Sequence, residues 1–365
     1  MNKTDSSNAD SFDYVVVGGG TAGSIMVNRL SADGASVCLL EAGPTDRHPF
    51  IHIPAGYIKN IYSPKLTWNF NSKPEPATAN RSFPLPQGRV LGGSSSINGL
   101  NYVRGQRADY DSWAQMGNTG WSYAEVLPYF KRSERRIGPG DDAVRGRHGE
   151  LPITDLDLIH PVCEAFIEGA AQMGIPRNPD YNSGDQAGTG YFQRTVHKGY
   201  RYSAAKAFLH PARKRPNVDI RTNAQAGEIL FDGTRANGVR YLRDGRETGY
   251  IEVRARREVI LCAGALNTPK LMQLSGIGPA QVLSDLGIQT RAELPGVGNN
   301  LRDHYGVRMV SSLKGVKTFN TMARGIPLGL EIAKWLIGRP SVLSVSPSLT
   351  HLFWKSSDTL DFPDL

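Results

Sequence analysis

The stretch DYVVVGGGTAGSIMVNRL, residues 13–30, predicts a strand, a tight turn and a helix in immediate succession. Four apolar or aromatic residues (14–17) precede three consecutive glycines, and a helical pattern follows them. Glycine weakens regular structure, so three in a row indicate a backbone conformation or a close approach that a side chain would prevent. The segment ASVCLLEAG (35–43) then predicts a second buried strand, which ends at Glu41.

This β-α-β unit carries the glycine fingerprint of dinucleotide-binding folds, Gly18-x-Gly20-x-x-Gly23. Gly18 would permit the sharp turn, Gly20 would let a pyrophosphate approach the backbone, and Gly23 would let the helix pack on the strand. The helix start offers unpaired N–H groups to phosphates. Glu41 is placed to accept hydrogen bonds from ribose hydroxyls. A carboxylate there would repel the 2′-phosphate of NADP, so NADP is disfavoured. The motif does not separate FAD from NAD, and a glycine-rich turn without a ligand is the alternative.

Composition and charge narrow the class of protein. The chain has 365 residues, which predicts about two domains and a sizeable core. Its hydrophobic content of 39% and charged content of 21% are typical of globular proteins and exclude wholesale disorder. The formal net charge is +8, but the positive residues are scattered. A generic basic surface is therefore predicted, with no nucleic-acid partner.

The cysteines and the N-terminal residues indicate the cellular compartment. Cys38, Cys163 and Cys262 lack metal-ligand spacing, so no metal site is predicted. Cys38 and Cys262 lie in apolar runs and indicate reduced core thiols, hence a reducing compartment and a cytoplasmic location. Residues 1–13 lack the apolar core of a secretory signal.

Membrane insertion is not predicted, because no apolar run reaches the length of a span. The most apolar late stretch, residues 326–338, is interrupted by Glu331 and Lys334. It predicts an amphipathic helix that packs against a core, with membrane contact as the lesser alternative.

Two further glycine-containing stretches resemble ligand-binding turns. In residues 86–114, two glycines and three serines (92–96) provide successive N–H donors that can lie against a planar or anionic ligand. In residues 257–279, a buried strand ends at 263–265 and a helix begins near 268–269. An ordinary polar turn and a plain βα unit are the respective alternatives.

Taken together, these stretches resemble the glucose–methanol–choline (GMC) oxidoreductases, the FAD-dependent alcohol oxidase and dehydrogenase family. GRVLGGSSSING (88–99) matches the first family signature, and GALNTPKLMQLSGIG (264–278) matches the second. Segments 200–233 and 294–304 are also similar to family segments, in family order. The resemblance runs from about Phe12 to the last residue and is to the choline-dehydrogenase-like bacterial branch.

The resemblance implies an α/β fold: a Rossmann-like FAD-binding domain with a discontinuous α+β substrate domain, incomplete here. The FAD-binding domain would comprise 12–155 and 212–310, and the substrate domain 156–211 and 311–365. Later strands would complete the doubly wound sheet. The expected later elements are strands at 219–221, 238–242 and 258–261 and a helix at 160–174.

The resemblance also implies that FAD is the cofactor and which residues bind it. The backbone of Ala226 would contact adenine, residues 98–101 would lie near the isoalloxazine, and Asp303 and His304 would close the flavin site. The full set assigned to FAD is Gly18, Gly20, Thr21, Ala22, Gly23, Glu41, Ala42, Arg89, Gly92, Gly93, Ser94, Asn98, Gly99, Leu100, Asn101, Ala226, Ala263, Gly264, Asp303 and His304.

Covalent attachment of the flavin is not expected. Family members that tether FAD through a histidine in this loop carry it just before the asparagine. Here that position is Ile97, which precedes Asn98. We therefore expect non-covalent FAD.

The implied activity is oxidation of a small alcohol, with hydride transfer from the carbinol carbon to flavin N5. A base must take the hydroxyl proton, and in the family it is a histidine of the C-terminal part. None of the histidines here lies in a segment like that one, so no catalytic base is assigned; His304 is expected to pack beside Asp303. The histidines are His48, His52, His148, His160, His197, His210, His304 and His351.

Three functions stay open. The chain is the N-terminal part of an FAD-dependent alcohol dehydrogenase or oxidase, active in a longer form or with a complementary C-terminal chain. Alternatively, it is a non-catalytic flavin-binding fragment or interaction module, or a hydroxynitrile-lyase-like member of the same fold. The electron acceptor is oxygen or a quinone, and the alcohol is not specified. An unfinished sheet is expected to expose apolar surface at 349–354.

Overall fold

The computed structural model describes residues 10–243, 249–304 and 306–365. Its strands are β1 Asp10–Val17, β2 Val37–Leu40, β3 Phe70–Asn71, β4 Pro84–Leu85, β5 Glu134–Ile137, β6 Leu151–Thr154, β7 Gly188–Tyr191, β8 Val196–His197, β9 Tyr200–Arg201, β10 Val218–Arg221, β11 Ala224–Asp232, β12 Arg235–Arg243, β13 Ile251–Leu261, β14 Ile277–Gly278, β15 Ala292–Glu293 and β16 Thr350–Phe353.

The helices are mostly short. They are α1 Thr21–Leu30, α2 Pro49–His52, α3 Tyr57–Asn60, α4 Arg107–Gln115, α5 Tyr123–Ser133, α6 Pro161–Gln172, α7 His210–Ala212, α8 Gly264–Leu274, α9 Ala280–Asp285, α10 Phe319–Met322 and α11 Gly325–Leu336. Shorter turns of 3-10 helix lie at Pro54–Gly56, Pro76–Thr78, Gly93–Ser96 and Val342–Ser344, and a π-helical turn at Ala205–Leu209.

The chain divides into two compact units. The first comprises the described residues of 10–48, 59–97 and 203–312, and the second comprises 49–58, 98–202 and 313–365. These units differ from the expected domains in three main places, since 49–58 and 98–155 belong to the second unit and 203–211 to the first. The assignment of FAD-binding and substrate roles to the expected domains stays a prediction.

A six-stranded sheet forms the centre of the first unit in the described residues, with strand order β10-β2-β1-β13-β12-β11. The four strands β10, β2, β1 and β13 are parallel, and β12 and β11 extend the sheet in antiparallel fashion. In register, Val15 lies opposite Cys38 on one side and Val259 on the other. The expected later strands are confirmed within β10, β12 and β13.

Both faces of this sheet are buried, as expected for parallel strands. Successive side chains of a strand point to opposite faces, so Val15 and Val17 join one apolar cluster and Val16 joins the other. The second cluster also contains Val27 of α1, which packs on the sheet. The continuous apolar runs of β1 and β2 therefore place the residues that follow them at one edge of the sheet.

In the second unit, buried charges tie distant segments together. Arg145 Nε donates to Glu134 Oε1 at 2.8 Å, and Arg104 pairs with the other oxygen of the same carboxylate. The Arg104 backbone N–H donates to Asn182 Oδ1 at 2.8 Å. A buried carboxylate requires such partners, and this network explains why residues after 98 pack with the second unit.

The helix expected at 160–174 is confirmed as α6. Pro161 occupies its first turn, where a missing N–H costs nothing, and the His160 ring accepts from the Val162 N–H at 3.3 Å. Cys163 and Ile167 are buried one turn apart. The helix therefore has the amphipathic pattern that the sequence predicted.

The expectation that residues 349–354 expose apolar surface is wrong. Residues 349–354 are buried or half-buried, not exposed. β16 pairs with β7, and the Trp354 and Leu365 backbones bond to each other. Within the described ranges, no helix combines the length and the hydrophobicity needed to cross a bilayer.

Candidate cofactor site

A cavity of about 600 Å³ lies in the first unit, where β1 and β2 end and beside β11 and α8. Ligands of open α/β sheets bind at this carboxyl edge. Of the residues predicted from the sequence, the cavity is lined by Gly18, Gly20, Thr21, Ala22, Glu41, Ala42, Gly93, Ser94, Ala226, Ala263 and Gly264.

Two glycines of the fingerprint are required by the fold itself. Gly18 has φ +101°, and a Cβ there would lie 2.4 Å from the Cys262 carbonyl oxygen. A Cβ on Gly23 would lie 1.9 Å from the Gly18 carbonyl oxygen. These glycines bring α1 and β13 close to the turn that follows β1.

Gly20 is different, because the protein leaves room for a side chain at this position. Its φ is −74°, which any residue adopts, and the nearest atom to a Cβ would be Gly93 Cα at 3.9 Å. The missing side chain is therefore not needed for packing within the protein. Its absence instead keeps space open in the cavity. An extended anionic group could approach the backbone here.

The start of α1 is suited to an anion. Thr21 and Ala22 are exposed and line the cavity. The helix has no acidic residue in its first turn and no side-chain cap, so its first N–H groups and its positive dipole end face the cavity unneutralised. Phosphate groups bind at such helix starts.

Glu41 is buried at the end of β2 and lines the same cavity. Its Oε2 accepts the Gly19 N–H and its Oε1 accepts the Gly43 N–H, both at 2.8 Å. Burial raises the pKa of Glu41 to about 7, against the opposing effects of these two bonds and of Arg89. Each oxygen keeps further acceptor capacity for sugar hydroxyls.

The stability of the flavin-free chain should fall as pH rises from about 5 to about 7. The folded-state pKa of Glu41 lies above its ordinary value of 4.5, so the folded chain binds more protons in this window and its contribution is lost as pH rises through 7. The slope should be at most about 1.4 kcal/mol per pH unit. Urea unfolding of the wild-type chain and Glu41→Gln tests this, with exposed Glu258→Gln as control. Parallel pH profiles for wild type and Glu41→Gln would contradict it.

Arg89 is held beside the cavity wall. Its guanidinium carbon lies 5.2 Å from the centre of the Trp68 ring, and Trp68 lines the cavity. Its Nε is buried and has no hydrogen-bond partner among the described residues. A buried unpaired donor is costly, so this arrangement fits an external acceptor such as a phosphate oxygen.

A further part of the cavity lining comes from β11 and the residues just before β13. Ala226 and Gly227 of β11 line the cavity together with Tyr250. A Cβ on Gly227 would lie 2.8 Å from the Tyr250 ring. Glycine here lets the Tyr250 ring lie close to the β11 backbone, and an aromatic ring beside the cavity can stack on a planar base.

The lining residues that sequence reasoning missed include Trp68, Tyr250 and Lys270. Lys270 lies within the second signature, which could have identified it. Trp68 and Tyr250 lie in no recognised pattern and come to the cavity only through the folded chain.

Several assigned residues do not line the cavity. Gly92 has φ +88° and supports the serine turn, because a Cβ there would lie 2.3 Å from Ser96 Oγ. Gly23 and Arg89 are also absent from the lining. Asp303 and His304 are exposed, and the roles assigned to them stay predictions.

Residues 98–101 belong to the second unit, where a buried arginine fixes their backbone. Arg201 donates to Asn98 Oδ1 at 2.9 Å and to the Asn98 carbonyl at 2.8 Å. Asn98 Oδ1 also accepts the Leu100 N–H at 3.1 Å, and Leu100 is buried with φ +70°. Gly99 is packed against Pro347, and Asn101 Oδ1 is buried without a partner in the described chain. The isoalloxazine role of this segment stays a prediction.

All eight histidines are described, and none lines this cavity or the smaller one of about 430 Å³ beside α8. His351 is buried against Tyr181, with ring centres 4.3 Å apart. Burial lowers the pKa of His351 to about 4, which keeps it neutral. In the described ranges, no group of three or more His, Cys, Asp or Glu side chains could hold a metal ion.

The fold and the cavity together define a dinucleotide-binding α/β protein. Residues 12–306 match the family model described as GMC oxidoreductase, and the chain belongs to that family. Membership confirms the predicted fold class and the predicted cofactor, FAD.

Named relatives agree with this placement. The chain is 46% identical to the oxygen-dependent choline dehydrogenase of Sinorhizobium medicae over 97% of its own length and 64% of that protein's. It is 47% identical to the same enzyme of Sinorhizobium fredii, covering 80% of this chain and 52% of that protein. The chain therefore spans between about half and two thirds of the length of these curated relatives.

Solved structures show the same fold. An FAD-dependent oxidoreductase from Chaetomium thermophilum superposes with a TM-score of 0.84 at 29% identity, covering 94% of this chain and 61% of that one. A formate oxidase superposes with a TM-score of 0.85 at 26% identity, covering 95% and 62%. The shared region again leaves more than a third of each relative without a counterpart.

Proposed function

We propose that this chain binds FAD in the 600 Å³ cavity and serves the oxidation of CH–OH groups in small alcohols. Bound FAD would supply the two-electron acceptor for that oxidation. The proposal depends mainly on Gly20: the fold has room for a side chain at this position, and the absence of one keeps space open in the cavity. A dinucleotide pyrophosphate is the ligand that this vacant position and the bare start of α1 fit.

The assignment of residues follows the geometry along the cavity. The pyrophosphate would lie at Gly20 and the first N–H groups of α1, with Arg89 available as a donor. Glu41 would accept from the adenosine ribose. Ala226 and Tyr250 would border the adenine.

The substrate class is inferred from relatives. Named relatives are choline dehydrogenases, and a pyridoxine 4-oxidase structure is 33% identical over 79% of this chain. Choline and other primary alcohols are therefore the first substrates to test. We propose oxygen as the electron acceptor, because the choline dehydrogenases are named oxygen-dependent; a quinone is the second candidate.

We further propose that a second polypeptide segment supplies the catalytic base. None of the eight histidines lines either cavity of the first unit. More than a third of the choline dehydrogenase relatives' length has no counterpart in this chain. That remaining part is the natural source of the base.

The test combines the FAD-loaded chain with the part of the Sinorhizobium medicae relative that this chain lacks. Choline, aliphatic and aryl alcohols are mixed with the complex without oxygen, and the visible flavin absorbance is followed. Absorbance should fall with one class of alcohol and return when oxygen is admitted. If no alcohol changes the flavin, oxidation is the wrong proposal; cleavage of a hydroxynitrile would then indicate a lyase, and its absence a non-catalytic flavin-binding chain.

The flavin should come off the protein completely on acid precipitation. Ile97, at the tethering position, is 2% exposed and offers no nucleophile. All flavin absorbance should appear in the supernatant. Flavin retained in the pellet would contradict this prediction and would direct attention to Cys262, which lines the cavity.

We place the protein in the cytoplasm on the basis of its thiols. Cys38, Cys163 and Cys262 are all free, and the first two are buried. Unpaired buried cysteines are typical of proteins kept in a reducing compartment.

A further inference from the structure

Helix α11 in the second unit presents its apolar side to solvent. Ile326, Leu330, Ala333 and Ile337 follow the spacing of one helical stripe, and Leu336 extends it. Ile326 is 84% exposed, Leu330 61% and Ile337 69%. We call these five residues the α11 apolar face. The sequence predicted that this helix would bury such residues against a core, and that prediction is wrong.

The opposite side of the helix fixes this orientation through polar contacts. Glu331 is buried, and its Oε2 accepts the Val342 N–H at 3.0 Å while its Oε1 accepts Lys334 Nζ at 2.6 Å. Trp335 Nε1 donates to the Gly199 carbonyl at 2.9 Å. Rotating the helix to bury its aliphatic residues would break these bonds and leave the Glu331 carboxylate without its partners.

Gly329 makes the α11 apolar face uneven. Glycine is a poor helix former, and no atom of the described chain lies within 4 Å of where its Cβ would be. Its position on the helix lies between Ile326 and Leu336 on the exposed side. The missing side chain lets another helix or strand approach the α11 backbone closely.

We propose that the α11 apolar face is the docking surface for the polypeptide that corresponds to the part of the choline dehydrogenase relatives missing from this chain. The chain aligns over 97% of its length and leaves more than a third of such a relative without a counterpart, so this relative contains a large segment that the chain does not match. Contiguous exposed apolar side chains are typical of interaction sites, and helices dock through such i, i+4, i+7 anchors. Close approach to the backbone at Gly329 suits a packed protein partner better than lipid.

The inference rests on the proposed function in one respect only, that a second segment completes the substrate side. Its experiment measures binding and not turnover. The probe is the remaining part of the Sinorhizobium medicae relative, titrated onto the full chain by calorimetry. Leu330→Asp and Gly329→Leu should each weaken binding at least tenfold, the first by burying a charge and the second by blocking close approach to the helix backbone. Met173→Asp, at a residue 81% exposed elsewhere in the second unit, should leave it unchanged.

FAD affinity and circular dichroism should match wild type in all three variants, which separates a failure of docking from a failure of the proposed flavin site. The inference is overturned if the unsubstituted chain does not bind the segment, or if both substitutions leave binding unchanged. Dimerisation that Leu330→Asp abolishes would overturn it in favour of a second copy of this chain. Vesicle binding that Gly329→Leu strengthens would overturn it in favour of a membrane surface.

Discussion

Replacing Gly20 by valine is expected to abolish FAD binding while the chain stays folded. The backbone at Gly20 is compatible with any residue, and a Cβ there meets no protein atom closer than 3.9 Å. The valine methyl groups would instead occupy the space in front of the first N–H groups of α1. FAD affinity should fall at least a hundredfold, which corresponds to about 2.7 kcal/mol.

Two measurements separate loss of ligand from loss of fold. FAD should raise the melting temperature of the wild-type chain, because a ligand of the native state stabilises it by mass action. Gly20→Val should melt at the wild-type temperature without FAD and gain nothing from its addition. Gly169→Val, at a helical glycine with open space around its Cβ, controls for the substitution itself.

Gly18 and Gly23 should respond differently from Gly20 to substitution. Alanine at Gly18 or at Gly23 should lower the stability of the flavin-free chain severely, since each Cβ would overlap a backbone oxygen. If Gly20→Val unfolds as they do, Gly20 is a structural glycine. If it binds FAD normally, the pyrophosphate does not lie at the start of α1, and the proposed placement of the cofactor is wrong.

How far the sequence predicted this site depends on whether a local pattern encodes it. Gly18, Gly20 and Glu41 follow β1 and β2 at fixed spacings, so the fingerprint located one wall of the cavity directly. Trp68 and Tyr250 reach the cavity from segments without a motif, through contacts that form only in the folded chain. Local periodicity cannot predict such long-range juxtapositions.

The orientation of α11 shows a second limit. Hydrophobic periodicity predicts a buried aliphatic face, and it did so here at 326–338. The helix instead buries Glu331, because Lys334 and the Val342 N–H satisfy its carboxylate, and it exposes Ile326 and Leu330. A pattern of apolar residues identifies an amphipathic helix; it does not identify which protein surface covers the apolar side.

The FAD-loaded chain alone is expected not to oxidise alcohols at an enzymatic rate. A base must accept the hydroxyl proton, and none of the eight histidines lines either cavity of the first unit. His304 is exposed, and His351 is neutral and enclosed by aromatic rings. Loss of a general base costs about 10²–10⁴-fold in rate.

The total deficit should be larger than the loss of the base, because a substrate that is not oriented or shielded from water loses further rate. The assay mixes the FAD-loaded chain with choline, aliphatic and aryl alcohols without oxygen and follows the flavin absorbance. Dithionite addition provides the control that the bound flavin can be reduced. Loss of absorbance at roughly 1 s⁻¹ or faster with any alcohol would contradict the prediction, since that is an ordinary enzymatic rate. A residue of this chain would then act as the base, and His304→Ala would be the first variant to examine, because the family resemblance places His304 at the flavin site.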